Sequence, residues 1–149
     1  MVTRNLERTM ENKLARLYEI QHDIYGIDAA LSLAGWDQMV NMPSAGVEDR
    51  GKMVYTLSKL LHQKSTSDEL GRLLDDLTVF SSSLGPDSVD ACLIKQAKRD
   101  YDKKSRIPTE YAAEFSQVTS RAQAAWEQAK DEDAFQIFQP HLEEIVRYL

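Results

Sequence analysis

A chain of 149 residues is long enough for one substantial hydrophobic core and short for two, so residues 1–149 are expected to form a single domain. No stretch approaches the ~20 apolar residues of a membrane span, and the N-terminal MVTRNLERTMENKLARLYEI has no uninterrupted apolar segment of the signal-peptide kind, so the expectation is a cytoplasmic protein without a membrane role. Eighteen Lys and Arg against 24 Asp and Glu give a net charge of −6, which repels polyanions and argues against a nucleic-acid partner.

Leu6, Met10, Leu14, Leu17, Ile20, Ile24, Ile27 and Leu31 recur at steps of three and four, one apolar stripe on a long helix of ~40 Å at ~1.5 Å per residue. The stretch LAGWDQMVNMPSAGVEDRG, residues 33–51, then interrupts the pattern with Trp36, Asp37, Met42, Pro43 and Gly46, and reads as a hinge. Pro43 is tolerated in a first helical turn, Ser44 fits a cap, and Glu48 and Asp49 suit the positive end of a second helix. That helix is expected from about Ser44 to Lys64, burying Val47, Val54, Leu57 and Leu61.

Thr66-Ser67-Asp68-Glu69 has capping-box form and opens a third helix carrying Leu70, Leu73, Leu77, Phe80 and Leu84. After Gly85-Pro86-Asp87 a fourth carries Val89, Leu93, Ala97 and Tyr101, and the basic run KRDYDKKSR lies near its C-terminus, where the helix dipole favours cations. Ile107-Pro108 precedes a fifth helix expected to bury Tyr111, Phe115, Val118, Ala122, Trp126 and Ala129. A short helical turn with Phe135 and Phe138 follows, and Pro140 is expected to begin a last helix through Leu142, Ile145, Val146 and Leu149, which reads as cut off because it lacks a terminal glycine or polar tail. With no β-alternating segment and no repeat, the fold class is all-α: an antiparallel bundle of about five long helices, a short helix and a truncated C-terminal helix.

Chemistry is hard to find in this pattern. The three histidines, His22, His62 and His141, lie far apart and none has a second histidine one helical turn away, so no H-E-x-x-H zinc pair exists. Glu19-Ile20-Gln21-His22 is half of a di-iron motif without a second copy. The single cysteine, Cys92, has no partner for an internal disulfide, lacks a neighbouring base and reads as a small buried hydrophobe. No phosphate loop and no Gly-x-Ser-x-Gly elbow occurs.

The interrupting stretch gains meaning from its order. Trp36-Asp37-Gln38, Met42-Pro43, Gly46 and Arg50 resemble the early segment of the carboxypeptidase Taq family of zinc-dependent metallocarboxypeptidases. The likeness continues through Asp68-Glu69-Leu70-Gly71, Arg99-Asp100-Tyr101-Asp102, Ile107-Pro108 with Glu110, Ser120-Arg121-Ala122-Gln123-Ala124-Ala125-Trp126 and Phe138-Gln139-Pro140-His141-Leu142-Glu143. It departs at Val40-Asn41 and Ser44-Ala45, where family members often carry Glu-Thr and prolines or glycines.

The resemblance implies the N-terminal helical region of such an enzyme, a wall or cover over a substrate groove whose zinc and H-E-x-x-H helix lie later in the family's chain. It therefore implies no catalytic or metal-ligand residue here and no cofactor in this chain, with zinc expected in a full-length member. On this reading Trp36, Asp37, Met42, Pro43 and Arg50 form a structural hinge between two wall helices. Trp36 is expected as a packed anchor, with Asp37 capping a helix or pairing with Arg50. The partner would be the remainder of the carboxypeptidase chain; the rival reading is a free-standing helical interaction protein that forms a homodimer.

Overall fold

In a computed structural model, which describes the backbone of residues 2–149 and the side chains of residues 8–149, the chain is all-α, with no strand among the described residues. The helices are α1 (Val2–Val40), α2 (Val47–Ser65), α3 (Asp68–Ser81), α4 (Val89–Lys104), α5 (Thr109–Asp131) and α6 (Phe135–Arg147). They form two compact units, each discontinuous in sequence: unit 1 is Met1–Gly26 with Gln63–Ile107, and unit 2 is Ile27–His62 with Pro108–Leu149. Unit 1 contains twelve basic and twelve acidic residues, whereas unit 2 contains six and twelve, so the whole net charge of −6 falls on unit 2.

Unit 1 is organised by leucine spacing. Leu17 and Ile20 of α1, Leu70, Leu73, Leu74 and Leu77 of α3, and Ile94 and Ala97 of α4 make one buried cluster. Leu14, Ile24, Phe80, Leu84, Leu93 and Tyr101 close its edges. Leu6, the first residue of the expected stripe, lies outside the described side chains. Burying each leucine contributes about 1.5–3 kcal/mol before the entropy cost of ordering the chain.

The starts of α3 and α4 follow serine chemistry. Ser67 and Ser88 adopt extended backbone, and their hydroxyls accept from Leu70 N at 3.3 Å and Ala91 N at 3.2 Å. The expected Thr66–Glu69 capping box is therefore corrected by one residue. With Ser67 as the cap, the residue three positions on is Leu70, which has no carboxylate to complete a box, and the Glu69 carboxylate accepts from Arg16 Nε at 2.7 Å. At the other end of α4, Lys103 and Lys104 occupy the last turn, as the dipole favours.

Cys92 is exposed, which corrects the expectation of burial: two residues from Ile94 it turns about 200° around α4, away from the core stripe. Tyr101 packs against α3 at Gly71. A Cβ built on buried Gly71 would stand 2.3 Å from Tyr101 Oη and 2.8 Å from Cζ, so α3 has room only for a hydrogen there. Gly71→Ala gains about 1 kcal/mol of helix propensity but forces an overpacking that typically costs 1–3 kcal/mol. We expect a net loss in thermal stability that is reversed in Gly71→Ala/Tyr101→Ala relative to Tyr101→Ala alone; an equal effect of Gly71→Ala in both backgrounds would refute the clash.

The rim of unit 1 is charged. Lys13 pairs with Asp76 at 2.6 Å, Lys64 with Asp23 at 2.6 Å, and Arg16 with both Glu69 and Glu19. The Arg16 guanidinium hydrogen-bonded to Glu69 holds that carboxyl below its ordinary value, and Lys64 does the same for Asp23. A carboxyl lowered in the folded state contributes stability above its unfolded pKa, near 4, and loses it as pH falls through the folded value. The urea midpoint of the chain should therefore drop as pH falls below about 5, and Arg16→Gln should make that drop shallower. The pairs are exposed, so the change is small; a slope unaltered by Arg16→Gln would remove Arg16 from the account.

Unit 2 is built around a stripe of small residues on α5. Ala113, Val118, Ala122, Ala125 and Ala129 are buried and let α6 lie close. Tyr111 and Trp126, expected in the same stripe, are 40% and 48% exposed. They flank the seam instead of filling it: Tyr111 stacks on Tyr148 with centroids 5.2 Å apart, and Lys130 Nζ sits 5.5 Å from the centre of the Trp126 ring. Val47, Val54, Leu57 and Leu61 of α2 are half-buried, short of the burial expected of them.

The chain end differs from expectation as well. Asp133 takes a left-handed backbone, φ 48°, which an aspartate tolerates, and turns α5 into α6. A single helix then runs from Phe135 through Pro140 to Arg147, replacing the expected short turn and separate last helix. Ile137, Phe138, His141, Ile145 and Tyr148 recur at helical spacing and are each partly buried, with Tyr148 also 5.7 Å from the Phe115 ring. That continuous face offsets the hydrogen bond lost at Pro140.

Candidate functional site

The interrupting stretch is shorter than it reads. Nothing in Trp36-Asp37-Gln38 opposes a helix, so α1 continues through them to Val40; the ring and missing N–H of Pro43 then forbid continuation, and Met42 before it is driven out of helical backbone. Asp37 O closes the helix by accepting from Asn41 N at 2.9 Å and Met42 N at 3.0 Å. Ser44–Gly46 form one 3₁₀ turn, closed by Gly46 N to Pro43 O at 2.8 Å, and α2 begins with Glu48 and Asp49 in its first turn. The expected hinge over Trp36–Gly51 is thus confined to residues 41–46, and Ser44 makes no side-chain cap.

Three contacts tie this corner together. Arg50 of α2 reaches back to α1 and donates to both the Ala34 carbonyl and the Asp37 carboxylate, so Asp37 and Arg50 pair. The last turn of α1 has no basic residue of its own, and Arg50 places a cation near that negative end of the helix dipole. Gln38, 6% exposed, makes a reciprocal pair with α5: its amide nitrogen donates to Ser120 O at 2.7 Å, and its oxygen accepts from Ser120 Oγ at 2.8 Å. Arg121 donates from Nη2 to both oxygens of Glu48 at 3.0 and 3.1 Å, while its side chain lies over buried Gly51.

Trp36 is not the packed anchor expected of it. It is 53% exposed, on a face of α1 shared with exposed Leu33, Met39 and Val40. Beside it an apolar groove of about 400 Å³ runs between α1 and α2, floored by Ala30 and Ala34 and walled by Leu33, Trp36, Met53 and Leu57. Met42 is half-buried, with its side chain against Gly46, and Pro43 is exposed. A second groove of about 690 Å³ carries Glu48, Arg121, Glu127, Asp131, Glu132 and His141, with Met42 and Val47 contributing apolar wall.

No group of three His, Cys, Asp or Glu side chains among the described residues is placed to hold a metal ion. Glu19, half of the lone Glu-x-x-His, is paired with Arg16. His62 is buried with Nδ1 3.0 Å from Thr109 Oγ1. No helix of the described residues is long and apolar enough to cross a membrane.

The residues that converge here are those whose order suggested a family. Asp37 meets Arg50 and Gln38 meets Ser120; in unit 1, Gly71 meets Tyr101; Glu110 receives Lys59 Nζ at 2.6 Å. The Asp37–Arg50 pairing was one of two roles open to Asp37 in the sequence. The Gln38–Ser120 and Glu48–Arg121 contacts join residues more than 70 positions apart; Gln38, Ser120 and Arg121 stand in quoted motifs, whereas nothing singled out Glu48 beyond its place in a first helical turn.

The profile of the carboxypeptidase Taq (M32) metallopeptidases matches residues 16–148. Carboxypeptidase 1 of Bacillus subtilis is 32% identical over 119 residues, covering 80% of this chain and 23% of that protein. Thermostable carboxypeptidase 1 of Thermus thermophilus is 29% identical over 137 residues, covering 92% of this chain and 27% of the relative. Among solved structures, BsuCP superimposes with a TM-score of 0.86 at 28% identity over 92% of this chain and 27% of that one, and CHT with a TM-score of 0.60 at 31% identity and the same coverage. The chain belongs to the carboxypeptidase Taq (M32) family. It spans about a quarter of the length of the curated relatives it matches.

Proposed function

We propose that this chain is the N-terminal helical part of a zinc-dependent metallocarboxypeptidase that removes C-terminal amino acids from peptides, and that it serves as a wall or cover of the substrate groove. The observation that carries the proposal is a family match running through residues 16–148 of this chain while the relatives are more than three times as long. The family's motifs in this region act as packing contacts between helices, which is what a wall needs: rigid helices that restrict entry and keep water from the chemistry. The exposed Trp36 face is then where the remainder of the enzyme covers this part.

The test is to read the source gene past codon 149 and to express its whole frame beside the 149-residue chain. We expect H-E-x-x-H and a downstream glutamate in the frame, chelator-sensitive release of C-terminal amino acids from the whole product, and none from the 149-residue chain. A stop at codon 149, or hydrolysis by the chain alone, would overturn the proposal.

The exposed Leu33, Trp36, Met39 and Val40 also favour a second reading, a free-standing helical protein that pairs with its own copy through this face. Sedimentation over a wide concentration range separates the two. A monomer throughout removes the dimer.

A further inference from the structure

We draw no further inference here: the strongest candidate, the groove of unit 2 where Glu48, Glu127, Asp131 and Glu132 surround Arg121 and His141, is an acidic cluster with nothing in the structure that points to a ligand.

Discussion

Leu74→Ala is expected to lower the folding stability of the chain by about 3–4 kcal/mol, within the ~2–5 kcal/mol range of fully buried leucine truncations. Leu74 has no exposed surface and sits in the cluster where α1, α3 and α4 of unit 1 meet. Removing its isobutyl group forfeits transfer free energy and leaves a cavity in the cluster that also holds Leu17, Leu70 and Ile94, all fully buried. For a domain holding on the order of 5–15 kcal/mol in total, that loss is a large fraction. Urea unfolding followed by far-ultraviolet circular dichroism measures it, with Val79→Ala, at a position 79% exposed, as the control expected within about 0.5 kcal/mol. A loss below about 1 kcal/mol for Leu74→Ala would mean that the cluster is not the core of unit 1. Both tryptophans, Trp36 and Trp126, belong to unit 2, so their fluorescence in the same titration reports whether that unit unfolds at the same urea concentration.

Arg50→Met should cost about 2 kcal/mol, although it keeps most of the side chain's apolar stem. The Arg50 side chain is 15% exposed and its guanidinium serves two acceptors at once, the Ala34 carbonyl and the Asp37 carboxylate. Hydrogen bonds to charged groups are worth about 1.5–3 kcal/mol, and removing one partner strands the other. Asp37 is 39% exposed, so water recovers part of the loss and holds the figure below that of a fully buried pair. Arg50→Lys should recover little, since one ammonium lacks the fork that bridges a carbonyl and a carboxylate. Asp37→Asn should cost less than Arg50→Met, and the double variant less than the sum. Strict additivity in that cycle would show that the two side chains do not act on each other.

Much of the fold was legible because helix length and punctuation are local properties. Ser67, Ser88, Gly85-Pro86 and Ile107-Pro108 bracket helices, whereas Ser44 makes no cap and Pro140 lies inside α6, so punctuation alone does not fix every boundary. Burial was less legible. Periodicity assigns an angle around a helix axis, but not how wide the covered sector is, so Tyr111 and Trp126 shared a stripe with alanines that are buried while they are not. The corner at residues 36–50 shows the same limit: tryptophan predicts a packed position by its size, whereas its exposure depends on neighbours that the local pattern does not contain. Pairs such as Gln38 with Ser120 are set by tertiary approach, and one sequence holds no record of that.

The partition of charge has a consequence for how the two units meet their surroundings. Unit 1, with acids and bases in equal number, has no net self-repulsion to relieve, and added salt mainly weakens its exposed pairs. Unit 2 carries twice as many acids as bases, and mobile cations that screen them ease a repulsion opposing its compact state. One polypeptide thus contains a part indifferent to ionic strength or slightly harmed by it and a part that benefits, so the salt concentration of greatest stability is a compromise between them.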